Sequence, residues 1–265
     1  MLVHHGMPGS RLLYQPHVED ASARGIRLIG YDRPGYGRST PKPGRSVADC
    51  AADVRAIAHA LDVDRLAVYG FSGGGPHALA CAALLPDLVV AVSSLASSAP
   101  YGAEGLDYFN GMGELNAEDT KRYFSDPVGS RAKSKQDREE LMGATAEGML
   151  AMFSTLLSPT DAVALTPESV QHQVDSMHEG LAPGDEGWWE DGVAVLSEWG
   201  FELAAIRVPL QYWHGRQDRF VPFQHGEWLV EHIPGVEAHL TETDGHITLQ
   251  ARRVPEVHAW LLEHF

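Results

Sequence analysis

"VYGFSGGGPH", residues 68–77, sets four glycines and one serine between an apolar run and a helical pattern. Gly70-Phe71-Ser72-Gly73-Gly74 fits G-x-S-x-G, with a strand pattern before it and a helix pattern, "GGGPHALACAALL", around and after it. In such a turn the serine takes a strained backbone conformation, so its neighbours must be small. That accounts for Gly70 and Gly74. It also puts Ser72 at a helix N-terminus, where free N–H groups and the dipole favour developing negative charge. Ser72 is a candidate nucleophile; the bland alternative is a serine in a loose surface turn.

Working outward, "LVHH" (2–5), "IRLIGY" (26–31), "RLAVYG" (65–70) and "LVVAVSS" (88–94) read as buried strands. Between them Val47, Cys50, Ala51, Val54, Ile57, Ala58 and Leu61 recur at helical spacing, with Ser46 and Asp49 as a capping box. Alternation of this kind predicts an α/β fold: a mostly parallel sheet flanked by helices. From 101 to 202 the chain reads as helical stretches, including one over 137–157, with no convincing strand. Strand signals resume at 208–215 and 237–242, helices at 225–233 and 255–265, the last with Pro255 in its first turn. The organisation predicted is a core of 1–100 and 203–265 interrupted by a helical insertion, 101–202.

A serine hydroxyl is a weak nucleophile near neutral pH and needs a base. Of fourteen histidines, His246 in "TETDGHITL" sits on a loop after the last predicted strand. The carboxylate that would orient it is Asp218 in "WHGRQDRFVP", just beyond the strand at 208–215; Asp244, near His246 in sequence, is the alternative. All three candidates follow strand carboxyl ends, where parallel sheets bind ligands. The order Ser72, Asp218, His246 is that of a nucleophile-elbow hydrolase.

In these stretches the sequence resembles the α/β-hydrolase superfamily, serine-nucleophile type. "HHGMPGS" resembles its oxyanion loop, "YDRPGYGRS" its Asp-x-x-Gly-x-Gly-x-Ser loop, "GFSGG" its elbow, "WHGRQDRFVP" its acid loop and "DGH" its histidine loop. The resemblance implies an oxyanion hole of the Gly73 and Met7 backbone N–H groups, with 101–202 as a cap over the serine. The cap's Phe109, Met142, Met149, Met152, Phe153, Trp188, Trp189 and Trp199 offer an apolar lining; Phe71, Met149, Trp188 and Trp189 are the pocket candidates, although apolar residues at helical spacing more often build a helix's own core. In the family an antiparallel hairpin precedes the strand that here opens the chain, so 26–31 is expected at the sheet edge. An uncovered edge invites pairing with another chain, which predicts a homodimer or reduced solubility. "TDGH" departs from the family's usual Gly-Gly-His.

A net charge of −16 argues against nucleic acid and anionic membranes as partners, and no apolar run reaches bilayer length. The N-terminal stretch lacks a secretory signal pattern, and the two cysteines, Cys50 and Cys81, lie in predicted helices as structural thiols; the cytoplasm is the expected compartment. His4 and His5 have no cysteine or carboxylate at ligand spacing, so no metal or cofactor is expected. Asp32 and Arg33 are expected to brace loops. The function expected is cofactor-independent hydrolysis of an ester or related acyl bond of a small, fairly apolar substrate. The competing readings are a C–C bond hydrolase, an aminopeptidase using Glu186, Glu190 and Asp191 for the substrate amine, and a ligand sensor on the same scaffold.

Overall fold

A computed structural model describes residues 1–265. Six strands form one sheet: β1 (Leu2–His4), β2 (Ile29–Gly30), β3 (Leu66–Phe71), β4 (Val89–Leu95), β5 (Leu210–Gly215) and β6 (Glu237–Thr241). Their spatial order is β2-β1-β3-β4-β5-β6, and every neighbouring pair is parallel. The core helices are α1 (Gln15–Ala23), α2 (Cys50–Ala60), α3 (Gly75–Leu84), then α10 (Phe223–His232) and α11 (His246–Glu263). Between β4 and β5 run α4 (Glu114–Ser125), α5 (Pro127–Gly143), α6 (Ala146–Met152), α7 (Pro159–Ala164), α8 (Pro167–Leu181) and α9 (Glu186–Leu196). No helix is long and apolar enough to cross a membrane.

The central strands are apolar runs because both faces are covered. Along β3, Val68 joins a core with Val54, Leu79, Tyr212 and Leu229 on one face. Ala67, Tyr69 and Phe71 point the other way, against Leu249, Val254, Val257 and Leu261 of α11. This is the two-residue alternation of a strand. Each fully buried aliphatic side chain of this kind stabilises the fold by roughly 1.5–3 kcal/mol.

Three elements differ from the sequence expectation. The strand at 26–31 shrinks to Ile29–Gly30 at the sheet edge, because its one neighbour, β1, spans three residues. The helix expected over 137–157 breaks between Gly143 and Ala146, where the Thr145 hydroxyl accepts the Gly148 N–H at 3.2 Å and starts α6 afresh. The last helix begins at His246, so Pro255 lies in its interior, not its first turn. There it forgoes one main-chain bond, a loss that packing against β3, β4 and β5 must outweigh.

The topology locates the functional crevice. The connection from β1 runs outward to β2, while that from β3 runs the opposite way to β4. The loops leaving β1 and β3 therefore part at a topological switch point, where α/β sheets open a crevice at their carboxyl edge.

Candidate active site

Ser72 follows β3 directly and has φ +54°, one of three non-glycine residues with positive φ. A β-carbon on Gly70 would lie 2.2 Å from the Gly74 carbonyl oxygen, and one on Gly74 would lie 2.3 Å from that of His4. Both separations are far inside van der Waals contact, so the glycines are steric requirements of the turn. The 3-10 turn over Ser72–Gly74 leads into α3, whose N-terminus faces the crevice.

The loop after β1 lies against this turn. A β-carbon on Gly73 would come within 2.7 Å of the Met7 β-carbon and 3.6 Å of the Met7 nitrogen. The Met7 N–H donates to no acceptor in the protein. Arg33 holds the loop from behind: Nη1 donates to the His5 carbonyl at 2.6 Å and Nη2 to that of Gly6 at 3.1 Å. Arg33 is itself bound by Asp191 of α9, with Nη2 to Oδ2 at 2.6 Å, and Arg45 reaches the other oxygen at 2.7 Å. Burial alone would raise the Asp191 pKa, but Arg33, with His77 and Arg45, holds it well below the usual carboxylate range. Burial and the Arg33 charge keep His5 neutral, and its Nδ1 meets the Gly6 carbonyl at 2.7 Å. Asp32 accepts the Arg11 N–H at 2.7 Å and the Arg38 N–H at 3.2 Å, bracing the next loop.

On the other side of the crevice His246 is the first residue of α11. Its Nδ1 meets Asp218 Oδ2 at 2.6 Å, which leaves Nε2 as the free ring nitrogen. Asp218 is buried, and its other oxygen accepts the N–H groups of Phe220 at 2.8 Å and Val221 at 2.9 Å. The ring stacks on Phe220 at 4.6 Å and tilts against Phe71 at 4.8 Å. Asp244 is elsewhere: its Oδ2 accepts Arg253 Nε at 2.9 Å. The Ser72 hydroxyl and the His246 ring line one cavity without a direct hydrogen bond, a separation common before substrate is bound.

Sequence reasoning missed Asp161 of α7. This fully buried carboxylate accepts the His246 N–H at 3.1 Å and the Thr248 N–H at 2.9 Å. Nothing local marks it, since in "SPTDAVA" an acid in the first helical turn reads as ordinary capping.

The cavity has a volume of about 640 Å³ and a mainly apolar lining. Phe71, Met149, Met152, Phe153, Trp188 and Trp189 line it; Phe109, Met142 and Trp199 do not. Trp199 packs in the sheet's core, with its indole N–H donated to the Val195 carbonyl at 3.1 Å. No arginine lines the cavity, and its one lysine, Lys133, is bonded to Asp137 at 2.6 and 2.7 Å. The acids suggested for an amine also point elsewhere: Glu186 pairs with Arg131 at 2.6 Å, and Glu190 accepts the Gly44 N–H at 2.7 Å. With Asp191 committed to its two arginines, none of the three lines the cavity.

His4 does have cysteines beside it, brought from distant parts of the chain. His4 Nε2, Cys50 Sγ and Cys81 Sγ lie within 4.8 Å of one another. Burial pushes the Cys50 thiol up and the His4 imidazole down, so both are neutral. Cys81 meets His4 Nε2 at 3.4 Å and Cys50 donates to the His77 carbonyl at 3.4 Å, so the group is satisfied by hydrogen bonds within the protein.

A model of the alpha/beta hydrolase fold family matches residues 1–249. The AB hydrolase superfamily protein YisY of Bacillus subtilis is 28% identical over 247 residues, covering 91% of this chain and 82% of that protein. The 2-hydroxy-6-oxononadienedioate/2-hydroxy-6-oxononatrienedioate hydrolase of Cupriavidus pinatubonensis is 26% identical over 258 residues, covering 93% and 79%. A solved thermophilic esterase of Thermogutta terrifontis has a TM-score of 0.70 at 18% identity, covering 100% of this chain and 90% of that one.

Proposed function

This hydrolase belongs to the alpha/beta hydrolase fold family, and from that premise we propose that it cleaves a carboxylic ester or related acyl bond of a small, uncharged, largely apolar substrate through an acyl-enzyme on Ser72. Ser72 Oγ attacks the acyl carbon while His246 Nε2 takes its proton. The carbonyl electron pair moves onto oxygen, and the Gly73 and Met7 N–H groups face that oxyanion. His246 then gives the proton to the leaving alcohol as its bond to the acyl carbon breaks. Water, deprotonated by the same nitrogen, attacks the acyl-enzyme and releases the acid and Ser72. Asp218 keeps the proton of the resting ring on Nδ1 and stabilises the imidazolium. The observation that carries this reading is the 2.6 Å His246–Asp218 bond, facing the same cavity as the strained Ser72.

Substrate charge follows from the cavity. A carboxylate entering an apolar site needs a free cation there, and the lining's one lysine is already paired. The reading is tested with p-nitrophenyl esters of matched neutral and carboxylate-bearing acyl chains. Neutral esters are expected to be turned over more efficiently, by at least about tenfold in kcat/KM. Equal efficiency would remove the charge argument. A second reading, C–C bond hydrolysis, is favoured by the likeness to the Cupriavidus enzyme, whose name specifies a dioate. Faster cleavage of a diacid diketone than of every ester would put that reading first.

A further inference from the structure

We propose that Asp161, contributed by the helical insertion, is a positioning residue for His246, so that the base is set only when α7 is docked on the core. The inference rests on the role of His246 proposed above. Asp161 lies 85 residues before His246 in the chain. It is fully buried, yet no lysine, arginine or histidine pairs with it. Its four hydrogen bonds come from neutral donors. Oδ2 accepts the His246 N–H at 3.1 Å and the Ser158 hydroxyl at 2.8 Å. Oδ1 accepts the Thr248 N–H at 2.9 Å and the Thr248 hydroxyl at 2.6 Å.

Two of the four donors are main-chain N–H groups at the start of α11. The first N–H groups of a helix have no partner within it, and the helix end carries partial positive charge. Asp161 does for α11 what a capping side chain at its own N-terminus would do, and the position before His246 is a glycine. That glycine is a fit requirement: a β-carbon on Gly245 would lie 2.3 Å from Asp161 Oδ2. The His246 ring is held by Asp218 and Phe220, both from the loop after β5, while its main chain is held by the insertion. A ring nitrogen has to meet its proton partner within a few tenths of an ångström. A main-chain shift of about 1 Å at this residue is enough to cost roughly a hundredfold in rate.

The test uses the intact protein, with Asp161→Asn and Thr248→Val compared against wild type. Asparagine keeps the size but turns one acceptor into a donor facing N–H groups. Valine removes the Thr248 hydroxyl, and with it the bond to Asp161 at 2.6 Å and the one accepted from the Gly245 N–H at 3.2 Å, and leaves the other three Asp161 bonds in place. Two readouts are taken on folded protein of known Tm. One is the rate of labelling by a fluorophosphonate probe, separated into maximal rate and half-saturating concentration. The other is the far-downfield proton of the His246–Asp218 bond in the NMR spectrum. The expected result is a maximal labelling rate lower by about tenfold to a hundredfold in Asp161→Asn, with half-saturation little changed and the downfield proton shifted or broadened. Thr248→Val should show the same changes at a few-fold scale, and decides the matter if Asp161→Asn does not fold. Wild-type rate and an unmoved proton in folded variants would overturn the proposal. If wild type itself resists labelling, the function proposed for Ser72 fails, and the downfield proton alone then decides whether Asp161 positions His246.

Discussion

Asp161 and Asp191 are both residues of the helical insertion, both are fully buried, and both reach loops of the core that carry the site. They are stabilised by different means. Asp191 sits between two guanidinium groups at 2.6 and 2.7 Å, and through Arg33 it acts on the carbonyls of His5 and Gly6 beside Met7. Asp161 has no cation and relies on two N–H groups and two hydroxyls at a helix start. One clamp is electrostatic and holds the loop that carries Met7. The other is a helix cap supplied from a distance and holds the main chain of His246. The insertion's polar contacts thus fix the main chain on both sides of the crevice.

Removal of the Asp191 carboxylate should have the largest effect on stability. Asp191→Ala leaves two buried guanidinium groups without their counterion, and should cost about 3–5 kcal/mol in urea unfolding. A cost near that of a surface substitution would mean that water replaces the carboxylate. The next effect separates the clamps by pH. Burial, with the Arg33 charge, lowers the His77 pKa to about 4 in the folded protein, and His77 Nε2 lies 3.8 Å from Asp191. The unfolded chain binds this proton below about pH 6.5 and the folded one does not, so stability falls as pH drops from there to about 4. His77→Gln should flatten part of that decline, seen as a smaller loss of Tm between pH 6.5 and 4. His4, His5, His17, His172, His214, His225 and His258, all lowered first of all by burial, contribute to the decline that remains.

Smaller effects test the steric side. Gly74→Ala forces a methyl group to within 2.3 Å of the His4 carbonyl oxygen, an overpacking worth about 1–3 kcal/mol, and should also slow labelling of Ser72. Unchanged stability and labelling would show that the elbow yields more easily than its geometry implies. The Asp161 clamp should be the milder in stability. Thr248→Val removes the hydroxyl's bond to Asp161 and the one it accepts from the Gly245 N–H, and should cost about 1–2 kcal/mol, while its effect on rate exceeds its effect on Tm. The reverse pattern would make Asp161 a purely structural cap.

The parts of the molecule legible in the sequence are those with local signatures. Ser72, Gly70 and Gly74 are read from one pentapeptide because backbone strain dictates its residue types. Asp218 and His246 are read from their loops because each follows a strand end. The carboxylate choice was open between Asp218 and Asp244, and only the fold separates them: Asp244 turns to Arg253. The start of α11 carries no local signal, for a physical reason. No side chain before His246 caps that helix, because its acceptor comes from Asp161, 85 residues away, so the visible signal was Pro255. Asp191 reads in the sequence as an acid beside tryptophans, but its partner Arg33 lies 158 residues away, and charge alone does not tell a pocket from a buried ion pair. The neighbours of His4 were hidden similarly, since Cys50 and Cys81 reach it from two separate helices.

The chemistry proposed for the crevice depends on Ser72 being a nucleophile activated by His246 and Asp218. Intact-mass measurement after a fluorophosphonate probe, on folded wild type and Ser72→Ala, tests it most directly. One adduct per wild-type chain and none on the variant is the expected result. An unlabelled wild type, or equal labelling of both, would contradict it.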